Sequence, residues 1–148
     1  RRTAADQLER DPAGGLLSRI FRYSLGATHE RPLARALYLQ NPESLNRIVR
    51  STHGTGFFPR LSPDIEFLRV MRAVGMIRTD VDLGDLAAFL GAYMAGAAIS
   101  TAESPDAVVS GIVLLLERGV DADVDDTEPG KRAFFDLVAR SHRIGLSP

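Results

Sequence analysis

The sequence predicts an all-helical fold, an antiparallel bundle of about seven to eight helices in a single domain. Three observations lead there. Apolar residues recur at three- and four-residue spacing along almost the whole chain. Pro, Ser, Asp and Asn stand where helices would start. No stretch alternates convincingly with a period of two. At 148 residues the chain is long enough to bury a real core as one domain.

Residues 1–10 read as the tail of a helix. Asp11-Pro12 reads as an N-cap with Pro at the first helical position. The helix it opens runs to about Glu30, with Leu17, Ile20, Phe21, Ser24 and Thr28 inward. Pro32 restarts a short helix containing Leu33, Leu37 and Tyr38. Asn41-Pro42 opens another, with Leu45, Ile48 and Val49 inside. Residues 53–56, His-Gly-Thr-Gly, break it, and Phe57-Phe58-Pro59 follows in a loop.

Ser62-Pro63-Asp64 caps the next helix, where Ile65, Leu68, Met71 and Val74 hold core spacing and Gly75 lies near the end. Asp82 caps the helix after that. Ser104-Pro105-Asp106 opens another, with Val108, Ile112, Leu115 and Leu116 apolar and Gly119 as a candidate C-cap. The run at 112–116 allows a buried strand, but the Pro cap, Gly terminator and length favour a helix. Pro129 starts a last helix with Phe134, Leu137 and Val138 inside.

The most informative segment is residues 83–100, LGDLAAFLGAYMAGAAIS. Gly84, Ala88, Ala92, Gly96 and Ser100 form one row four residues apart, beside Ala87, Gly91 and Ala95. Leu86, Phe89, Leu90, Tyr93 and Met94 make the bulky side. Rows four apart are the ridges through which helices pack, and a small-residue ridge lets a second backbone come close. The following helix carries Ala107, Ser110 and Gly111 beside Ile112 and Leu115. Paired about a two-fold axis, these surfaces would make a four-helix homodimer interface. The ridge also suits a helix of the same chain. The expected interface residues are Gly84, Ala88, Ala92, Gly96, Ser100, Ala107, Gly111, Ile112 and Leu115.

The aromatic and Met residues suggest a space between helices. Ile20, Phe21, Ser24, Leu37, Tyr38, Ile48, Phe58, Phe67, Met71, Phe89, Tyr93 and Met94 are the expected pocket lining. Plain core packing is the competing reading. Tyr hydroxyls and Ser24 are the polar handles by which an apolar pocket orients a ligand.

Composition narrows the chemistry. The net charge is −1, so nothing pulls the chain globally toward nucleic acid or membrane. The distribution is uneven: residues 1–50 carry nine Arg against five carboxylates, and residues 101–148 carry five cations against nine acids. The absence of Cys removes disulfides and thiolate chemistry and fits a cytoplasmic protein. The apolar run at 86–99 is short of the ~20 residues of a membrane span, so no membrane partner is expected.

Asp121, Asp123, Asp125, Asp126 and Glu128 suggest a calcium loop, but Asp126 stands where Gly is needed and Arg132 where a bidentate Glu is needed. A solvated acidic linker is the expected state. The His at 29, 53 and 142 share no metal-ligand spacing. Glu66 and Asp85 are candidate acid–base groups, yet first-turn carboxylates favoured by the helix dipole explain them as well. No nucleophile elbow or phosphate loop occurs. No catalytic residue, metal site or cofactor is expected, and the chain is expected not to be an enzyme.

With these elements in place, the chain resembles the C-terminal regulatory domain of TetR-family transcriptional regulators. The likeness lies in RPLARALYL at 31–39, in Asn41-Pro42-Glu43, in AVGMIRTDVDLGDL at 73–86, in the helix at 107–119 and in GKRAF at 130–134. Thr79 stands where many relatives carry Pro. The resemblance implies a helical effector-binding and dimerisation domain. Its dimer helices would be residues 82–101 and 105–118, and its effector a small apolar or amphipathic molecule. The family's N-terminal helix-turn-helix has no match here, so operator DNA would be met only through a module not in this chain. Residues 1–10 would correspond to the end of the helix connecting to that module, and the chain, starting at Arg1, would be a fragment. The alternatives are a stand-alone small-molecule-binding helical protein, a small helical enzyme, or a purely structural dimerisation module.

Overall fold

The structure is a computed structural model that describes residues 3–29, 64–99 and 104–144. The described residues are all-helical. They form six helices: α1 (Ala4–Arg10), α2 (Leu17–His29), α3 (Ile65–Ala73), α4 (Leu83–Ile99), α5 (Pro105–Gly119) and α6 (Glu128–Ile144). The short helices expected around Leu37 and Leu45, and the loop at 57–59, lie outside the described residues.

Local chemistry sets most of the boundaries. Thr3 starts α1 with a capping box, accepting from the Asp6 N–H while the Asp6 carboxylate accepts from the Thr3 N–H. α1 therefore has its own start, where the sequence suggested the tail of a longer helix. Asp64, Asp82 and Ser104 cap α3, α4 and α5 as expected. α3 ends at Gly75, whose φ of 84° is a backbone conformation L side chains avoid. Its neighbour Met76 donates back to the Met71 carbonyl at 2.9 Å. Gly119 is the last residue of α5 and Val120 is its cap, so Gly119 does not terminate the helix by a left-handed turn.

The largest correction is at Asp11-Pro12. Asp11 caps the C-terminus of α1 and closes a turn onto the Ala13 N–H, so α2 begins only at Leu17. The reason is spatial. A Cβ on Gly14 would overlap the Leu8 carbonyl, and one on Gly15 would overlap the Thr127 carbonyl and lie 2.9 Å from the Lys131 nitrogen. These glycines serve a close backbone approach, with Gly130 packed against Gly15 from the other side.

The core is one cluster. Leu8 comes from α1, Leu17, Ile20, Phe21 and Leu25 from α2, and Phe67, Leu68 and Met71 from α3. Leu86, Leu90 and Met94 join from α4, Ile112, Val113 and Leu116 from α5, and Ala133 from α6. α5 packs on α2, α1 on α2, and α3 on both α4 and α6. The loop between α5 and α6 returns across the molecule, with Asp121 bridging Ile77 antiparallel. Ala122 donates to the Met76 carbonyl at 3.0 Å, and Arg78 to the Val120 carbonyl at 2.9 Å.

Candidate functional site

Two surfaces of α4 bear on function. Its inward face is Leu86, Leu90 and Met94, all buried, with Leu83, Ala87 and Tyr93 half-buried beside them. Of the expected lining, Ile20, Phe21, Phe67, Met71 and Met94 are buried together, and Ser24 and Tyr93 are half-buried. Leu37, Tyr38, Ile48 and Phe58 lie outside the described residues. Tyr93 donates its hydroxyl to the Val108 carbonyl at 3.1 Å, which joins α4 to α5. Partial burial raises its phenol above the usual range.

Phe89 corrects the expected division of the helix. It was expected among the pocket residues, yet it is 48% exposed. It stands with Gly84, Ala88, Ala92 and Gly96, all exposed, on the outward face. The physical reason is that α4 is apolar around most of its circumference, so periodicity could not set the rotation.

α5 shows the complementary correction. Ile112 was expected at the interface but is 2% exposed and belongs to the core with Val113 and Leu116. The outward stripe is Ala107, Ser110, Gly111, Leu114 and Leu115, with Leu115 60% exposed. Leu114 was not singled out by the sequence. Ser100 lies outside the described residues.

A second constellation was not anticipated. Asp121 was expected in a solvated acidic linker, but it is buried, as are Thr127 and Lys131. Asp123, Asp125 and Asp126 are exposed, as that reading required. The Ser18 N–H donates to Asp121 Oδ1 at 3.2 Å, so a loop carboxylate caps α2 from a hundred residues away. The Gly15 N–H donates to Thr127 Oγ1 at 3.3 Å, and that hydroxyl donates to the Pro12 carbonyl at 2.6 Å.

Lys131, the chain's only lysine, donates to the Glu9 carbonyl at 2.9 Å and pairs with Glu128 at 2.7 Å. Burial pushes the Asp121 carboxyl above the ordinary range, against the opposing pull of Ser18. Beside this cluster, Tyr23 donates to Asp11 Oδ2 at 2.7 Å, and Arg19 lies between Asp11 and Glu117. Burial and the Asp11 carboxylate together raise the Tyr23 phenol.

Glu66 and Asp85 sit in the first turns of α3 and α4 and are exposed. Among the described residues no three His, Asp or Glu are placed to hold a metal ion, and no helix is long and apolar enough to cross a membrane. No family model, curated protein or solved structure matches the chain.

Proposed function

We propose that this chain is the effector-binding and dimerisation half of a ligand-responsive transcriptional repressor of the TetR type. The observation that carries the reading is the two-sidedness of α4. Its inward face feeds the core, while Ala88, Phe89, Ala92 and Gly96 are exposed on its outward face, and Leu114 and Leu115 are exposed on α5. Exposed apolar surface gathered on two connected helices marks an association site more than a solvent face. Two copies related by a two-fold axis would bury it as a four-helix interface.

The effector would lie among Ile20, Phe21, Phe67, Met71, Tyr93 and Met94, contributed by α2, α3 and α4. It would act by population shift, favouring one placement of the two subunits over another. A coupling of ~1–3 kcal/mol suffices for such control. The chain's task is then to bind rather than to turn over a substrate, in the cytoplasm, and DNA is met through a module outside it.

The direct test is the gene sequence upstream of Arg1. A helix-turn-helix there supports the reading, and an open reading frame without one refutes it. Thermal-shift screening of the 148-residue chain with apolar small molecules tests the effector site. A panel that never raises the melting temperature would favour a solid core instead.

A further inference from the structure

Asp121 stands where the loop after α5 crosses the N-terminus of α2. Its Oδ1 receives the Ser18 N–H, while its Oδ2 is buried and has no hydrogen-bond partner among the described residues. The Ser18 hydroxyl, fully buried, also lacks a partner, although it lies against the same carboxyl. Two buried, unpaired polar atoms thus meet where the α1–α2 unit is held to the rest of the fold. Buried polar groups are normally satisfied, so a pair of exceptions calls for a cause.

We propose that Asp121 is a proton-controlled latch, whose carboxyl holds the α1–α2 unit against the α5–α6 loop tightly when neutral and loosely when ionised. A neutral carboxyl brings no charge into the buried site, and its Oδ1 still receives the Ser18 N–H. An ionised carboxyl places a charge in a buried site, where the pull of Ser18 and of the Leu17 backbone does not offset the loss of water.

Among the described residues no cation is paired with the charge. Glu117 on α5 adds repulsion. Arg19 on α2 engages Glu117 at 3.3 Å and Asp11 at 3.8 Å. Arg78, beyond the bridge from Ile77, is exposed and paired with Asp80. Lys131 on α6 is committed to Glu9 and Glu128. Asp123, Asp125 and Asp126 in the loop are exposed.

Opening the latch returns the carboxyl to water and to its ordinary proton affinity. The closed form therefore holds its proton to higher pH than the open form. The added hold is complete below the ordinary carboxylate range and is lost as pH rises through the raised value. Within that window each pH unit changes the opening equilibrium by up to about tenfold. This inference is independent of what the bundle binds.

Native-state hydrogen exchange on the whole chain, from about pH 4 to 8, tests it, with protection corrected for intrinsic exchange. The Gly15 and Ser18 amides are expected to lose protection as pH rises, while the Leu90 amide in α4 does not follow. Asp121→Asn is expected to flatten the profile. Ser18→Ala removes a group that favours the ionised form, so it is expected to move the midpoint to higher pH. A flat wild-type profile at Ser18, an unchanged profile in Asp121→Asn, or a Leu90 amide moving in step would overturn the proposal.

Discussion

Replacing Gly15 by Ala adds one methyl group where, among the described glycines, another backbone comes closest. That methyl would overlap the Thr127 carbonyl and lie 2.9 Å from the Lys131 backbone nitrogen. Both obstacles are backbone, so no side chain can swing aside. Overpacking of a filled site costs about 1–3 kcal/mol. Relief of that overlap also parts the backbones, so the Gly15–Thr127 and Thr127–Pro12 hydrogen bonds go as well, at about 1 kcal/mol each.

The combined loss is about 3–5 kcal/mol, a large share of the ~5–15 kcal/mol by which a domain is stable. Thermal unfolding is expected to move down by about 6–20 °C. Gly26→Ala is the control, because Gly26 lies in α2 with no atom of the described residues within 4 Å of an added Cβ. It is expected to gain about 0.5–1 kcal/mol from helix propensity. Urea melts of both variants give the comparison. If Gly15→Ala melts like wild type or like Gly26→Ala, the close approach of the two segments is wrong.

The other predictions are simpler. Met71→Ala empties a site that is 0% exposed and is expected to cost about 2–5 kcal/mol in a urea melt. Tyr23→Phe removes the hydrogen bond to Asp11 at an expected cost of about 0.5–1.5 kcal/mol by the same assay. Asp121→Ala leaves the Ser18 N–H without its acceptor and is expected to destabilise at neutral pH. Asp121→Asn keeps an acceptor without the charge and is expected to melt at or above wild type there, with less change between mildly acidic and neutral pH.

Helix starts were legible wherever Ser, Asp or Pro stood directly before an apolar period, as at Asp64, Asp82 and Ser104. Capping is local chemistry, and local chemistry is written in adjacent residues. Asp11-Pro12 carried the same signature and misled, because Gly14 and Gly15 are held by contacts with Leu8 and with Thr127, over a hundred residues away in the second case. Asp121 was hidden among acidic neighbours. What sets it apart is the bridge to Ile77 and the bond from Ser18, neither visible in a window around it.

The rotation of α4 was only partly legible. Leu86, Leu90 and Met94 were placed on the bulky side correctly, but Phe89 has apolar neighbours in every direction along the helix. The apolar run at 112–116 posed the same difficulty: Ile112, expected at the interface, lies in the core, and Leu114, for which no place was expected, is exposed. For the dimer reading these placements matter. They add two large side chains to the exposed sides of the two helices, Phe89 to that of Ala88 and Ala92 on α4 and Leu114 to that of Gly111 and Leu115 on α5. The proposed interface is thereby less a smooth small-residue ridge than small hollows flanked by protruding hydrophobes.

Sedimentation velocity on wild type and Leu115→Glu tests the central claim most directly. Leu115 is 60% exposed, so the substitution spares the core. In a two-fold interface it is met twice, and each buried leucine contributes about 1.5–3 kcal/mol. Wild type is expected to sediment at twice the 16.1 kDa chain mass at micromolar concentration. Leu115→Glu is expected to sediment as a monomer with unchanged helical circular dichroism. Ala92→Leu, which fills a hollow in the same face, is expected to weaken the dimer as well. A wild-type chain that stays monomeric, or a Leu115→Glu chain that stays dimeric, would contradict the assignment of this face.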